Sequence, residues 1–169
     1  YDLKVVIGVD EESIILAAKL SESLCIEHNS LESVKLTKNK YLMRSELKKS
    51  GLKSPWFKRF SVHETPKDIF AELSFPCVLK PTFLSASQGV LCVNSFEEFG
   101  KGCEMLSDLL AEEKVKKRGG DQANWILVEE YIPGKEVSIE GIVNDGKLKD
   151  LAIFDKPEPL EGPIFPETI

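Results

Sequence analysis

At 169 residues, 42% hydrophobic and 30% charged, the chain is long enough to bury a core of ordinary globular size. Its net charge of −6 offers no positive field to gather phosphodiesters, which argues against non-specific nucleic-acid binding. No apolar run approaches the roughly 20 residues of a membrane span, and no signal peptide opens the sequence.

The sequence begins at Tyr1 and is expected to be part of a longer polypeptide. Residues 3–9 form an apolar run of the buried, parallel-strand kind, and a helix is expected after Gly8, Val9 and Asp10. Ile14, Ala18 and Leu24 keep roughly helical spacing there. A strand feeding a helix is half of an α/β unit, so residues 1–36 are expected to end an N-terminal α/β domain. Thr37 is placed to cap a helix over residues 38–50, which stops at Gly51. Residues 57–62 read as a strand. Thr65 and Pro66 then open a short helix, with the cap first and proline at the first helical position.

Residues 76–93, PCVLKPTFLSASQGVLCV, read as strand, loop, strand, with Lys80 just before a loop of small polar residues. Read alone, Lys80 is a strand-end charge. Ser95 and Glu98 make a capping box, and the helix behind them buries Phe99, Cys103, Leu106 and Leu110. Gly100 and Gly102 are a local flaw in that helix rather than a phosphate loop. KKRGGDQAN, residues 116–124, reads as a polar loop, and WILVEEYI, residues 125–132, as a strand ended by Pro133 and Gly134. Strands over 136–143 and 147–154 flank Asn144, Asp145 and Gly146, a strong hairpin signal because these residues accept positive φ. The proline-rich tail beyond them suits neither a central strand nor a helix. Helices alternating with antiparallel hairpins give an α+β fold class.

The four cysteines, Cys25, Cys77, Cys92 and Cys103, form no CxxC pair and have no histidine at metal-ligand spacing. They read as reduced thiols of a cytoplasmic protein. No GxxxxGK[ST] phosphate loop occurs, and no GxGxxG opens a helix after a strand.

Four pieces nonetheless stand in a fixed order: LTKNKYLMRSELKKSGLKSP, then FPCVLKP, then a small-residue loop ending QGV, then ILVEEYIPGKEVSIEG. This order resembles the ATP-grasp superfamily, which holds ATP between two α+β subdomains. The resemblance covers residues 29–169, and the tail IFDKPEPLEGPIFPETI most resembles the branch of dipeptide-forming carboxylate–amine ligases. It implies connecting helices and the start of ATP-grasp over 37–75, a lid subdomain over 76–132, and the start of the second subdomain over 133–169.

The resemblance also implies roles. Lys40 and Lys80 would meet the phosphates, since a nucleotide binder without a Walker loop needs cations at separated points. Ser85, Ser87, Gln88 and Gly89 would form a lid over the β- and γ-phosphates. Relatives are glycine-rich in this loop; here only Gly89 remains, and the bulk of Phe83 and Leu84 is expected to alter closure. Glu129, Glu130, Tyr131 and Ile132 would be the adenine hinge, with the Glu130 carbonyl and the Ile132 amide meeting the base. As residues alone, Glu129 and Glu130 could equally be solvated strand. Glu136 would bind ribose, and strand alternation puts it on one face with Ser138 and Glu140.

Lys156 would be catalytic, stabilising charge on the transferred group. Glu161 and Glu167 would face the substrate or plain solvent. Mg2+ ligands are expected beyond residue 169, so this chain is expected to bind nucleotide weakly and to release no ADP in steady state. The implied partners are a small-molecule carboxylate and an amine, with no nucleic acid and no membrane. A homodimer through an uncovered sheet edge is left open. Two alternatives remain: a biotin carboxylase or carbamoyl-phosphate synthase type of domain, and a degenerate non-catalytic nucleotide-binding module.

Overall fold

A computed structural model describes residues 2–69 and 72–156. Its centre is a four-stranded antiparallel sheet in the order β1–β4–β2–β3. The strands are β1 (Phe57–Ser61), β2 (Cys77–Pro81), β3 (Leu91–Val93) and β4 (Trp125–Glu130). Because side chains alternate along a strand, the sheet has two different faces. One face presents Phe60, Cys77, Leu79, Ile126 and Val128 to helix α5 (Phe96–Ala111), whose Phe99, Cys103, Leu106 and Leu110 complete the core. All four of these helix residues are buried, as their spacing predicts.

Ser95 caps α5 by accepting from the Glu98 amide at 3.2 Å, while the Glu98 carboxylate reaches back one residue further than expected, to the Asn94 amide at 2.8 Å. Gly102 is no flaw in this helix. A Cβ there would stand 2.8 Å from Leu79 Cδ1, so the glycine lets α5 lie close on β2.

The opposite face carries Val78, Lys80, Leu127 and Glu129, and α3 (Lys40–Lys49) packs on it. The cap of α3 is Asn39, whose side chain accepts from the Leu42 amide at 3.1 Å. Thr37 instead ends a short helix that the pattern did not predict, α2 (Leu31–Thr37), and its hydroxyl donates to the Val34 carbonyl at 2.8 Å. Asparagine is the stronger cap, and a threonine already inside a helical turn bonds backward along it.

Helix α1 (Ile14–Ser23) and the short α4 (Pro66–Ile69) match their start signals. The expected polar loop at 116–124 is helical instead: α6 (Glu113–Gly119) runs into a 3-10 turn (Gly120–Asn124). Val115 packs on the core there, and Gly119 lies so close to the Phe83 ring that a Cβ would overlap it. Residues 3–9 form no strand. No described strand lies beside them, so Leu3, Val5, Ile7 and Val9 stay exposed instead of buried in a sheet.

β5 (Val137–Asn144) and β6 (Lys147–Asp155) form a separate two-stranded hairpin with a bulge at Glu140 and Gly141. The turn between them puts Asp145 and Gly146 at positive φ, as the sequence signal requires. Mixed helices and antiparallel sheet bear out the α+β class. The described cysteines are all unpaired, and burial pushes the Cys77 and Cys103 thiols up to about 12, which keeps them inert. No helix among the described residues is long and apolar enough to cross a membrane. Glu161, Glu167 and the rest of the proline-rich tail lie outside the described residues.

Candidate functional site

A cleft of about 390 Å³ opens where the second sheet face meets the connector to the hairpin. Lys80 and Glu129 project into it from β2 and β4, because the Val78–Glu129 register puts both on that face. Glu130, Tyr131, Ile132 and Glu136 line it from the connector, with Ser87 contributed by the loop after β2 and Lys156 by the chain just past β6. Val78 and Val90 add an apolar wall, and Tyr131 packs on the same small cluster. Eight of the sequence-nominated residues therefore share one cavity. It has an apolar side fit for a flat ring and a polar side where Lys80, Lys135 and Lys156 stand among Glu129, Glu130 and Glu136.

The other four do not line it. Lys40 sits behind the loop, where its amide donates to the Thr82 carbonyl at 2.8 Å and its ammonium donates to the Leu84 carbonyl. Burial, reinforced by the nearby Lys80 charge, lowers the Lys40 pKa to about 8. Ser85 accepts the Gln88 amide through its carbonyl at 3.2 Å, which closes a turn within the loop. Gly89 (φ +71°) faces α5; a Cβ there would meet Leu109 and Leu106 at under 3.0 Å, so this glycine serves packing.

Phe83 and Leu84, expected to alter closure of the loop, point inward. Both are buried in the core beneath it, so their bulk anchors the loop's first part and does not stand over the cleft. The crest is the exposed Ala86 and the half-buried Ser87, both in the left-handed region at φ near +53° and +52°. That conformation is unstrained only for glycine.

The hinge segment has a defined bonding pattern. The Glu130 amide donates to the Trp56 carbonyl at 2.8 Å, and the Tyr131 amide to the Pro76 carbonyl at 3.4 Å. The Ile132 amide has no such partner among the described residues. It is the first main-chain donor past the sheet that a planar ligand could meet.

Charges in the cleft come in pairs. The Lys156 ammonium donates to Glu136 Oε1 at 2.7 Å, and its amide donates to the Glu136 carbonyl at 3.4 Å. The Lys80 ammonium donates to Glu129 Oε1, and the Glu129 side chain is buried. From α3, Arg44 donates to Glu129 Oε2 through Nε at 3.0 Å. Arg44 is the residue that sequence reasoning missed. Two signals could have found it: Arg44 lies one helical turn from Lys40, and an acid inside the apolar run WILVEE requires a cation when buried.

An ATP-grasp domain model matches residues 73–168, more than half of the chain. The chain belongs to the ATP-grasp family. Alanine–anticapsin ligase of Bacillus subtilis (strain 168) is 30% identical over 151 aligned residues, covering 82% of this chain and 32% of that protein. D-alanine–D-alanine ligase of Natranaerobius thermophilus is 31% identical over 117 residues, covering 65% of this chain and 28% of the relative. The chain thus spans about a third of the length of these curated ATP-grasp relatives. Among solved structures, an L-amino acid ligase from Bacillus licheniformis superposes with a TM-score of 0.74 at 24% identity. That match covers all of this chain and 40% of the ligase, and it establishes the shared ATP-grasp fold.

Proposed function

We propose that the cleft binds ATP and that the protein to which this chain belongs is an ATP-dependent carboxylate–amine ligase of the cytoplasm. The observation that carries the reading is the convergence of Lys80, the loop around Ser87 and the main chain of 130–132 on one cavity with an apolar wall and lysine–glutamate pairs. In this reading adenine lies against Val78 and Val90, with the Ile132 amide donating to the ring and the Glu130 carbonyl accepting from its amino group. Glu136 takes the ribose hydroxyls. Lys80 meets the phosphates, and Lys40 turns from the Leu84 carbonyl to join it.

The chemistry of such a ligase balances simply. A carboxylate oxygen attacks the γ-phosphorus and ADP leaves, giving an acyl phosphate. An amine then attacks the acyl carbon, phosphate leaves, and the amine proton is released. Lys156, freed from Glu136, would stabilise charge on the transferred phosphoryl group. Amino acids are proposed as the carboxylate and amine because one relative is a ligase of alanine and anticapsin.

Among the described residues no group of three or more His, Cys, Asp or Glu stands together as a metal site. The cleft carboxylates Glu129 and Glu136 are each paired with a lysine. The described residues thus present no free carboxylate cluster that would hold Mg2+ by itself. Its ligands are proposed to lie beyond residue 169.

Calorimetric titration of ATP, with Lys80→Ala alongside, tests the assignment. The native protein is expected to bind, and the variant to lose about tenfold or more, the scale of a charge-assisted phosphate contact in a partly dry site. Equal affinities in a folded variant would remove Lys80 from the site, and no binding by the native protein would remove the nucleotide reading itself.

A further inference from the structure

The Glu129 carboxylate is 5% exposed and stands between two cations. Arg44 Nε donates to Oε2 at 3.0 Å, while Arg44 Nη2 reaches Oε1 only at 3.5 Å. Oε1 is the oxygen that Lys80 holds. One carboxylate thus serves two cations, and the guanidinium fork is unevenly closed, its longer bond going to the oxygen that Lys80 shares. Arg44 itself is not among the residues that line the cleft.

A ligand phosphate that draws Lys80 away would strip a buried carboxylate of a partner, which is costly unless another cation takes over. Arg44 is placed to do so. Once Lys80 leaves Oε1, the fork can close into two parallel charge-assisted bonds, the geometry a guanidinium prefers with a carboxylate. A lysine at this position, a point charge without a fork, could not hold both oxygens.

We propose that Arg44 is a positioning residue for nucleotide binding: it retains Glu129 in a bidentate pair and so releases Lys80 to the phosphates. This rests on the reading of the cleft as an ATP site. Binding becomes an exchange of partners inside the Lys80–Glu129–Arg44 group, with Glu129 charged and paired throughout. The exchange is needed only by ligands that carry phosphate.

The test is calorimetric titration of ATP, ADP and adenosine into the native protein, Arg44→Gln, Arg44→Lys, Glu129→Gln and the Arg44→Gln/Glu129→Gln pair. Arg44→Gln is expected to weaken ATP and ADP by about tenfold or more, because Glu129 then keeps Lys80, and to leave adenosine within about twofold. Arg44→Lys should recover part of the loss. In the Glu129→Gln background, Arg44→Gln should have no further effect, since no buried carboxylate remains to be held.

Native ATP affinity in Arg44→Gln, an equal loss for adenosine, or an Arg44 effect that persists without Glu129 would each overturn the proposal. Thermal melts identify any variant that fails to fold. If Arg44→Gln alone fails, the comparison of Arg44→Lys with the native protein decides: equal ATP affinity overturns the exchange, and a loss confined to phosphate-bearing ligands supports it. If the native protein binds no ATP, the cleft assignment itself falls, and the exchange falls with it. If it binds ATP regardless of Arg44, only the exchange falls.

Discussion

The four-stranded sheet and the β5–β6 hairpin are both antiparallel and both rich in aliphatic side chains, yet they stand at opposite ends of burial. In the sheet, Leu79, Ile126 and Val128 have no exposed surface and pack with Phe99 of α5. In the hairpin, Ile139, Ile142, Leu148 and Ile153 are all exposed. Charge follows the same division: the sheet region draws Glu129, Lys80 and Arg44 into a dry group, while every charged residue of β5 and β6 lies in solvent. Strand-forming sequence is therefore not what separates them. A helix laid across one face makes a core of the first; among the described residues no such layer covers the hairpin, and an isolated hairpin is marginal in water.

Truncation at the two places gives the largest expected contrast. Phe99→Ala empties a site with no exposed surface beside Phe60 and should cost about 3–5 kcal/mol. Ile139→Ala, 58% exposed, should cost less than about 1 kcal/mol. Urea unfolding midpoints measure both, and a comparable loss at Ile139 would mean that the hairpin is covered in solution.

Charge burial gives a second contrast, with a definite sign. Lys40 is lowered to about 8 in the folded protein from 10.5, chiefly by desolvation. Below pH 8 it is protonated folded and unfolded, and the burial penalty is constant. Above pH 8 the unfolded chain holds a proton that the folded one has lost, so this group makes stability rise with pH. The buried thiols Cys77 and Cys103 act in the opposite direction once pH passes their unfolded value of 9.0. The native-minus-Lys40→Met difference in unfolding free energy should therefore increase from pH 8 to pH 9, and a flat difference would show that Lys40 is well solvated. Phosphate contact with Lys40 would restore its proton, so ATP binding at pH 8.5 should take up protons, detectable as a buffer-dependent calorimetric heat.

The smallest effect is expected at the loop crest. Ala86 holds a left-handed backbone at φ near +53°. Ala86→Gly relieves that strain but adds entropy to the unfolded chain, and the net gain should be about 0.5–1 kcal/mol by thermal melts. A loss would mean that the loop has another conformation in solution.

What the sequence shows well are features set by near neighbours. Helix α5 and its buried stripe, the Asp145–Gly146 turn and the strands on either side of Lys80 all follow from spacing and turn chemistry. Features that depend on a distant partner were read less well. Residues 3–9 look like a buried strand, but a strand of that kind exists only when others flank it. Thr37 looks like a cap, but Asn39 takes the position, its side-chain amide also donating to Gln122 at 2.7 Å. Phe83 and Leu84 look like an obstruction in a loop because nothing local shows that the core beneath has room for them.

The candidate site divides in the same way. The ordered motifs place Lys80, the hinge at 129–132 and Glu136 together, since each sits at the end of a recognisable strand or turn. Lys40 is nominated for the cleft but is tethered behind the loop, and Arg44 is missed although it grips the central carboxylate. Sequence alone determined α5, the Asp145–Gly146 turn, the α+β class and the motif order, because periodicity and turn preference act over a few residues. Only the tertiary structure decided which cation faces Glu129, because that pairing joins residues 85 positions apart and depends on α3 packing against β1, the neighbour of β4.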